Sequence, residues 1–322
     1  MAHRDLWKRD WVRTLRLVWD EMLLDDCFGA SAQLAYYFLL GFFPFLFFIL
    51  VLVGSMQVTG MVEHTVEYLM GLLAQVMPAE ALDGIDEIID KIVLETRLLL
   101  EERRIRLLSI SLPALMVASN GMRAIMVTLN RAWSVREGRH LVQRYLLALA
   151  LTVSLAIIVI LSTLVMARAS VVSSWIAAHW GAGWATAMWL GIQMVAVGAL
   201  VFILELIYHL APNVRRPWHW ITPGSLFAVL LWLAGTSLFK MYVTRFGQYD
   251  AMYASLGAVV VFLLWLYIAG LAILVGGELN AELERSAGLI PSPAVPPPPH
   301  YDAAGHDTQV RGAPASTGVA EP

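Results

Sequence analysis

From Ala254 to Gly277 no position carries a charge, and the run ends at Glu278, Asn280 and Glu282. At about 1.5 Å of rise per residue, a helix of that length crosses a hydrocarbon core of roughly 30 Å. Apolar stretches of the same kind occupy about 30–53, 105–129, 145–167, 184–207 and 221–240. The pattern predicts an all-α polytopic membrane protein with about six transmembrane helices. Pro44 falls inside the first stretch, and its missing N–H predicts a kink or break there. That stretch starts near Phe28 and exceeds a signal-peptide core of about 7–15 residues, so it reads as an uncleaved anchor.

The segments outside these stretches have patterns of their own. Over residues 3–27, Trp7, Trp11, Leu15, Val18 and Met22 recur at helical spacing, with Lys8, Arg9, Arg13 and Arg16 mostly off that stripe. Such an N-terminal amphipathic helix fits a headgroup layer or the protein's own helix ends equally well. Residues 54–104 are too polar to span. Within them Leu82, Ile85, Ile89, Ile92 and Leu99 keep helical spacing opposite Asp83, Asp86, Glu87 and Asp90. This predicts an extracytoplasmic helical segment lying over the helix ends. After Arg285 the chain turns rich in Pro, Gly and Ala, which predicts a disordered tail over 286–322. The organisation is thus 1–29, an amphipathic segment; 30–285, the six-span domain with its 54–104 insert; and 286–322, the tail.

Composition agrees with lipid as the main solvent, since 59% of the 322 residues are hydrophobic and 15% charged. A net charge of −3 gives no basic field to attract nucleic acid. Cys27 is the sole cysteine, so no intramolecular disulfide or multi-thiolate metal site can form; it reads as a buried small apolar residue. The eight histidines are scattered without a zinc-binding pair, and there is no Walker loop and no Gly-x-Ser-x-Gly elbow. No cofactor, metal or catalytic residue is expected. Six spans put both termini on one side. The basic residues of the N-terminal segment, of Arg131–Arg144 and of Arg215–Arg216 make that side cytoplasmic. Arg103, Arg104 and Arg106 count against this within a long, acidic loop.

Polar residues inside the spans need a reason to be there. Asn120, Arg123, Asn130 and Arg131 share one face of the second span. Arg123 fits an ion pair with Glu205 or Glu278, snorkelling to the headgroups, or contact with a substrate. Gly191, Gly198 and Glu205 follow one another at seven-residue spacing on the fourth span, and the glycines predict close approach of another helix. Tyr267 and Glu278 share a face of the sixth span, and Gln33, Tyr36 and Tyr37 enter the first from the same side. Gly276-Gly277-Glu278 reads as a packing and termination feature. The candidate polar cluster is therefore Gln33, Tyr36, Asn120, Arg123, Asn130, Glu205, Tyr267 and Glu278, either a shared water-accessible pocket or ordinary span ends.

The motifs in their order carry a resemblance. They are Ala35-Tyr-Tyr-Phe-Leu-Leu with Phe43-Pro44, Leu129-Asn-Arg-Ala-Trp133, and Tyr208-His-Leu-Ala-Pro-Asn213 with Pro217-Trp218 and Pro223-Gly224. Phe246-Gly247-Gln-Tyr249, Tyr253-Ala-Ser-Leu-Gly257 and Gly277-Glu-Leu-Asn-Ala-Glu282 follow. Over roughly 28–285 the chain resembles the BrkB/YihY family of bacterial inner-membrane proteins, some once labelled ribonuclease BN. His209 stands where that family often has a basic residue. The resemblance implies a multi-pass protein of the bacterial cytoplasmic membrane and, from the family's links to serum resistance and envelope processes, handling of an amphipathic molecule. The leading expectation is transport or handling of a small or amphipathic solute, with membrane lipids as surroundings. A structural or assembly factor that docks an envelope protein through 81–99 is the alternative, and a ribonuclease comes last. No nucleic-acid partner is expected.

Overall fold

The computed structural model describes residues 11–55, 61–74, 86, 88–96, 104–214, 218–246 and 254–290. Every regular element among them is an α-helix: α1 (Trp11–Leu24), α2 (Cys27–Ser55), α3 (Met61–Ala74) and α4 (88–96) come first. Then follow α5 (Arg104–Ala132), α6 (Leu141–Trp180), α7 (Ala182–Leu210), α8 (Pro223–Phe246) and α9 (Ala254–Ser286). Six of them, α2 and α5 to α9, are long and apolar enough to cross a membrane. Helices α2, α6 and α8 leave from one end of the bundle and α5, α7 and α9 return to it. This is the end that carries α1.

Helix α2 runs unbroken through Pro44, and α5 through Pro113, so of the kink or break expected at Pro44 the break does not occur. The two helices pack on each other along much of their length. Gly41 faces the Ala118 backbone and Gly121 faces Phe38, so small residues keep this pair close. Neighbouring contacts of this kind hold a helix whose ladder has lost one hydrogen bond. Helices α8 and α9 form the other extensive pair, and α9 also packs on α2, α5 and α1. Among the six, α5 and α9 are the most enclosed and α7 the least.

Helix α6 is 40 residues long and reaches past the expected end near 167, to about 60 Å. Its turn into α7 is a single residue, Gly181 at φ +93°, a conformation that L side chains rarely adopt. Trp175, Trp184 and Trp189 stand exposed around this hairpin, as tryptophans do at an interface.

The N-terminal helix packs on α9. Thr14, Val18 and Met22 are buried against the bundle, while Trp11 and Leu15, members of the same sequence stripe, stay exposed. Trp7 lies outside the described residues. At the far end Ile89 of α4 is buried in one apolar cluster with Leu46, Leu50, Phe239 and Phe262. Leu82, Ile85 and Leu99 lie outside the described residues. Gly288, at φ +70°, closes α9, with its N–H donating to the Arg285 carbonyl and that of Leu289 to Glu284. Ile290 then folds back into the core.

Candidate functional site

Polar side chains concentrate at the α1 end, in three groups, the first and third of which share α9. The first lies where α8 begins. Thr222 stands before Pro223, and its Oγ1 accepts from the Ser225 N–H at 3.3 Å, so the pair Thr-Pro caps and starts the helix. The same hydroxyl donates to Glu205 Oε2 at 2.6 Å and accepts from Asn280 Nδ2 at 2.9 Å. Asn280 Oδ1 in turn accepts from the Gly224 N–H at 2.9 Å. Glu205 is 1% exposed, so a buried carboxylate of α7 is tied through one hydroxyl to α8 and α9.

The second group closes the ends of α5 and α7. Asn130 is buried; its amide donates to Glu137 at 3.0 Å and its carbonyl accepts from the Asn213 N–H at 2.8 Å. Arg139 donates to the carbonyls of Leu210, Ala211 and Pro212 at 2.8–3.0 Å. A guanidinium placed there satisfies carbonyls that the end of α7 leaves free and meets the negative end of its dipole.

The third group surrounds the start of α2. Asp26, at φ +51°, turns the chain between α1 and α2, and its Oδ1 accepts from the Gly29 N–H. Cys27 donates its S–H to Glu278 Oε1 at 3.6 Å. Arg285, 7% exposed, donates to the Ala132 carbonyl at 2.5 Å and to Ser134 Oγ at 3.1 Å. It pairs with Glu282 at 3.3 Å and with Glu21 at 3.7 Å. Burial pushes the Glu21 carboxyl above its usual range, and Arg285 partly opposes that. Trp133 Nε1 donates to Glu284 at 2.7 Å.

The sequence-derived cluster therefore divides. Asn130, Glu205 and Glu278 lie at this end, each on a different network. Gln33 and Tyr36 are exposed on the outer face of α2, with Tyr36 against Tyr37. Tyr267 packs with the apolar cluster of Ala35, Phe262 and Leu266. Arg123 donates to Asn120 and lies over the Tyr145 ring, 4.2 Å from its centroid. It pairs with neither Glu205 nor Glu278. The reason is the register of α9: Gly277, not Glu278, faces α5, and a Cβ there would meet Leu129 at 2.6 Å and Trp133 at 3.6 Å. Gly191 and Gly198 have nothing within 4 Å of an added Cβ, so among the described residues the expected close helix approach does not occur. Gly276 and Gly277 do serve packing, but α9 continues for nine residues beyond them, to Ser286.

Thr222, Asn280, Arg285 and Arg139 do not stand out in the sequence. The Thr222-Pro223 cap is readable from helix-start chemistry. The others join elements far apart in the chain. Among the described residues, no three His, Cys, Asp or Glu side chains are grouped so as to hold a metal ion.

Residues 18–296 match the profile of the family described as virulence factor BrkB. The ribonuclease-like protein YfkH of Bacillus subtilis (strain 168) is 31% identical over 282 residues, 85% of this chain and 96% of that relative. A UPF0761 membrane protein of Alkalilimnicola ehrlichii is 25% identical over 285 residues, 85% of this chain and 60% of that relative's length. Another, of Psychromonas ingrahamii, is 33% identical over 79 residues, 24% of this chain and 27% of the relative. No solved structure matches. Since the family profile takes in all six membrane-length helices and the three polar networks at their ends, the chain belongs to the BrkB family of integral membrane proteins.

Proposed function

We propose that this protein is a non-enzymatic, multi-pass protein of a bacterial cytoplasmic membrane that moves or handles a small or amphipathic envelope-related molecule. The carrying observation is the pair of carboxylates Glu205 and Glu278. Each is 1% exposed within a membrane-length helix, and neither has a cationic partner within salt-bridge distance among the described residues. Ionisable groups are costly at such positions and occur where a substrate, ion or proton is handled.

The test is what accompanies the protein when membranes are converted directly into native nanodiscs. Mass spectrometry should find an amphipathic molecule enriched over an unrelated six-span control, falling several-fold in Glu205→Gln or Glu278→Gln. A complement identical to the control in both parent and variants would sink the proposal. Both termini are assigned to the cytoplasm on the distribution of Arg and Lys. A fluorescent-protein fusion after Gly288 should fluoresce, and a phosphatase fused there should be inactive. Strong phosphatase activity would reverse the orientation.

YfkH carries a ribonuclease-like name, and divalent-metal hydrolysis of RNA needs a clustered donor set. Stringently purified protein is expected to leave RNA intact. Cleavage abolished by a point change in this chain would overturn the non-enzymatic reading. One observation favours the alternative of an assembly factor: Gly191 and Gly198 leave a face of α7 open to another helix. In that case a specific protein, not a lipid, should be enriched in the nanodiscs.

A further inference from the structure

Arg123 lies inside the membrane-length stretch Ser111–Ala132 of α5, about 12 Å along the axis from Arg131 near its end. Leu112, Met116, Asn120, Arg123, Val127 and Arg131 fall within about 100° of arc on that helix. Leu112, Met116 and Arg131 are exposed and the other three half-buried, so this is the face that α5 turns to lipid. A long basic side chain on such a face ordinarily extends to the membrane surface. Arg123 does the opposite. Helix α5 runs toward the α1 end, so Asn120, whose Oδ1 accepts from Arg123 Nη2, lies a turn farther from that surface. The Tyr145 ring, 4.2 Å from the guanidinium carbon, holds it from the second turn of α6.

The chain supplies no counter-charge for this cation. Helices α2, α5 and α6 contain no Asp or Glu. The acids at the α1 end are engaged elsewhere: Glu205 by Thr222, Glu278 by Cys27, Glu282 by Arg285, Glu284 by Trp133 and Glu137 by Asn130. Among the described residues no carboxylate lies within salt-bridge distance of Arg123. Its surroundings are donors instead. A guanidinium has five N–H groups, and the acceptor set against them is Asn120 Oδ1. With that oxygen used, the Asn120 amide nitrogen can only donate, and the exposed Tyr145 carries a hydroxyl that can donate as well. Arg144, next to Tyr145, adds a second positive charge whose Nε is buried without an acceptor. An unpaired cation within a span is costly, and phosphodiesters are the anions that a bilayer itself presents. The planar fork of arginine matches phosphate. A zwitterionic headgroup brings an ammonium that needs an acceptor, which this donor set lacks.

We propose that Arg123, with Asn120 and Tyr145, binds the phosphate of an anionic phospholipid drawn against α5 and α6 from the leaflet at the α1 end. Basic sites between membrane helices hold such headgroups. The site involves neither Glu205 nor Glu278 and stands whether or not a solute is moved, so either reading can fail alone.

Native mass spectrometry of the full-length protein in mild detergent, titrated with phosphatidylglycerol or phosphatidylcholine, tests it. The parent should retain a single phosphatidylglycerol per chain at concentrations where phosphatidylcholine is lost. Arg123→Gln should weaken that binding about tenfold, as loss of a charge-assisted hydrogen bond does. Arg123→Lys keeps the charge without the fork and should fall between. Arg131→Gln, exposed on the same face, should keep the lipid. Equal retention of the two lipids by the parent overturns the proposal, even if every variant fails to fold. So does equal phosphatidylglycerol binding by the parent and Arg123→Gln. An equal loss in Arg131→Gln would overturn it in favour of general attraction to a basic surface. Displacement of the lipid by millimolar glycerol phosphate would overturn it in favour of a soluble phosphate compound.

Discussion

Arg285→Ala is expected to remove most of the folded protein from the membrane fraction, by about 3–5 kcal/mol of lost stability. Arg285 is 7% exposed and bridges three elements that are remote in sequence. It reaches α1 through Glu21, the end of α5 through the Ala132 carbonyl and Ser134, and its own helix through Glu282. Truncation strands the carboxylates of Glu21 and Glu282 and frees a carbonyl at the end of α5. Arg285→Lys keeps the charge but offers a point donor instead of a planar fork. It should recover part of the loss, with the thermal midpoint between parent and alanine variant. Detergent-solubilised protein followed by size-exclusion chromatography after a temperature series reads this directly. An alanine variant that melts with the parent would show that the bridge adds little.

The same residue shows where the sequence stops being legible. The six spans can be read directly, because an uncharged apolar run of membrane length is hard to bury anywhere but in a bilayer. The packing of Val18 and Met22 follows from helical spacing, although spacing alone leaves lipid and protein equally open. Which polar residues meet is a different matter. Asn120, Arg123 and Asn130 share a face of α5, yet Arg123 turns to Tyr145 on α6 while Asn130 meets Asn213 beyond α7. A helical face says where a side chain leaves its own axis, and the neighbour is set by inter-helix register. Glu278 and Gly277 differ by one residue, about 100° of rotation, and that decides whether the acid faces α5 or the α1–α2 turn. Gly181 gives no signal of its own in the sequence, because one residue suffices for a turn where a longer loop is expected. Arg285 looks like the end of a span and is instead its anchor.

Gly276 governs how closely α9 can approach its neighbours, and substituting it is expected to have an effect of comparable size. A Cβ there would lie 2.5 Å from Tyr208 Oη and 2.6 Å from Ala228 Cβ. Tyr208 is fully buried, and its hydroxyl donates to the Ile273 carbonyl at 2.7 Å, so it cannot swing aside without losing that bond. Alanine gains about 1 kcal/mol of helix propensity over glycine. Overpacking costs about 1–3 kcal/mol, and here it would also break a buried hydrogen bond worth about 1 kcal/mol. The cost wins, so Gly276→Ala should melt several degrees below the parent, and Gly276→Leu should not accumulate as folded protein. Gly277→Ala meets the flexible end of Leu129 at 2.6 Å, where a rotamer change can make room, and its loss should be smaller. Gly191→Ala on α7 has nothing within 4 Å and should match or exceed the parent. The order 191, 277, 276 from mildest to most damaging is thus fixed by what each added methyl would touch. Equal melting of all three alanine variants would mean that α9 shifts freely against α7 and α8. The networks of Glu205 and Asn280, which need that helix in register, would then have lost their scaffold.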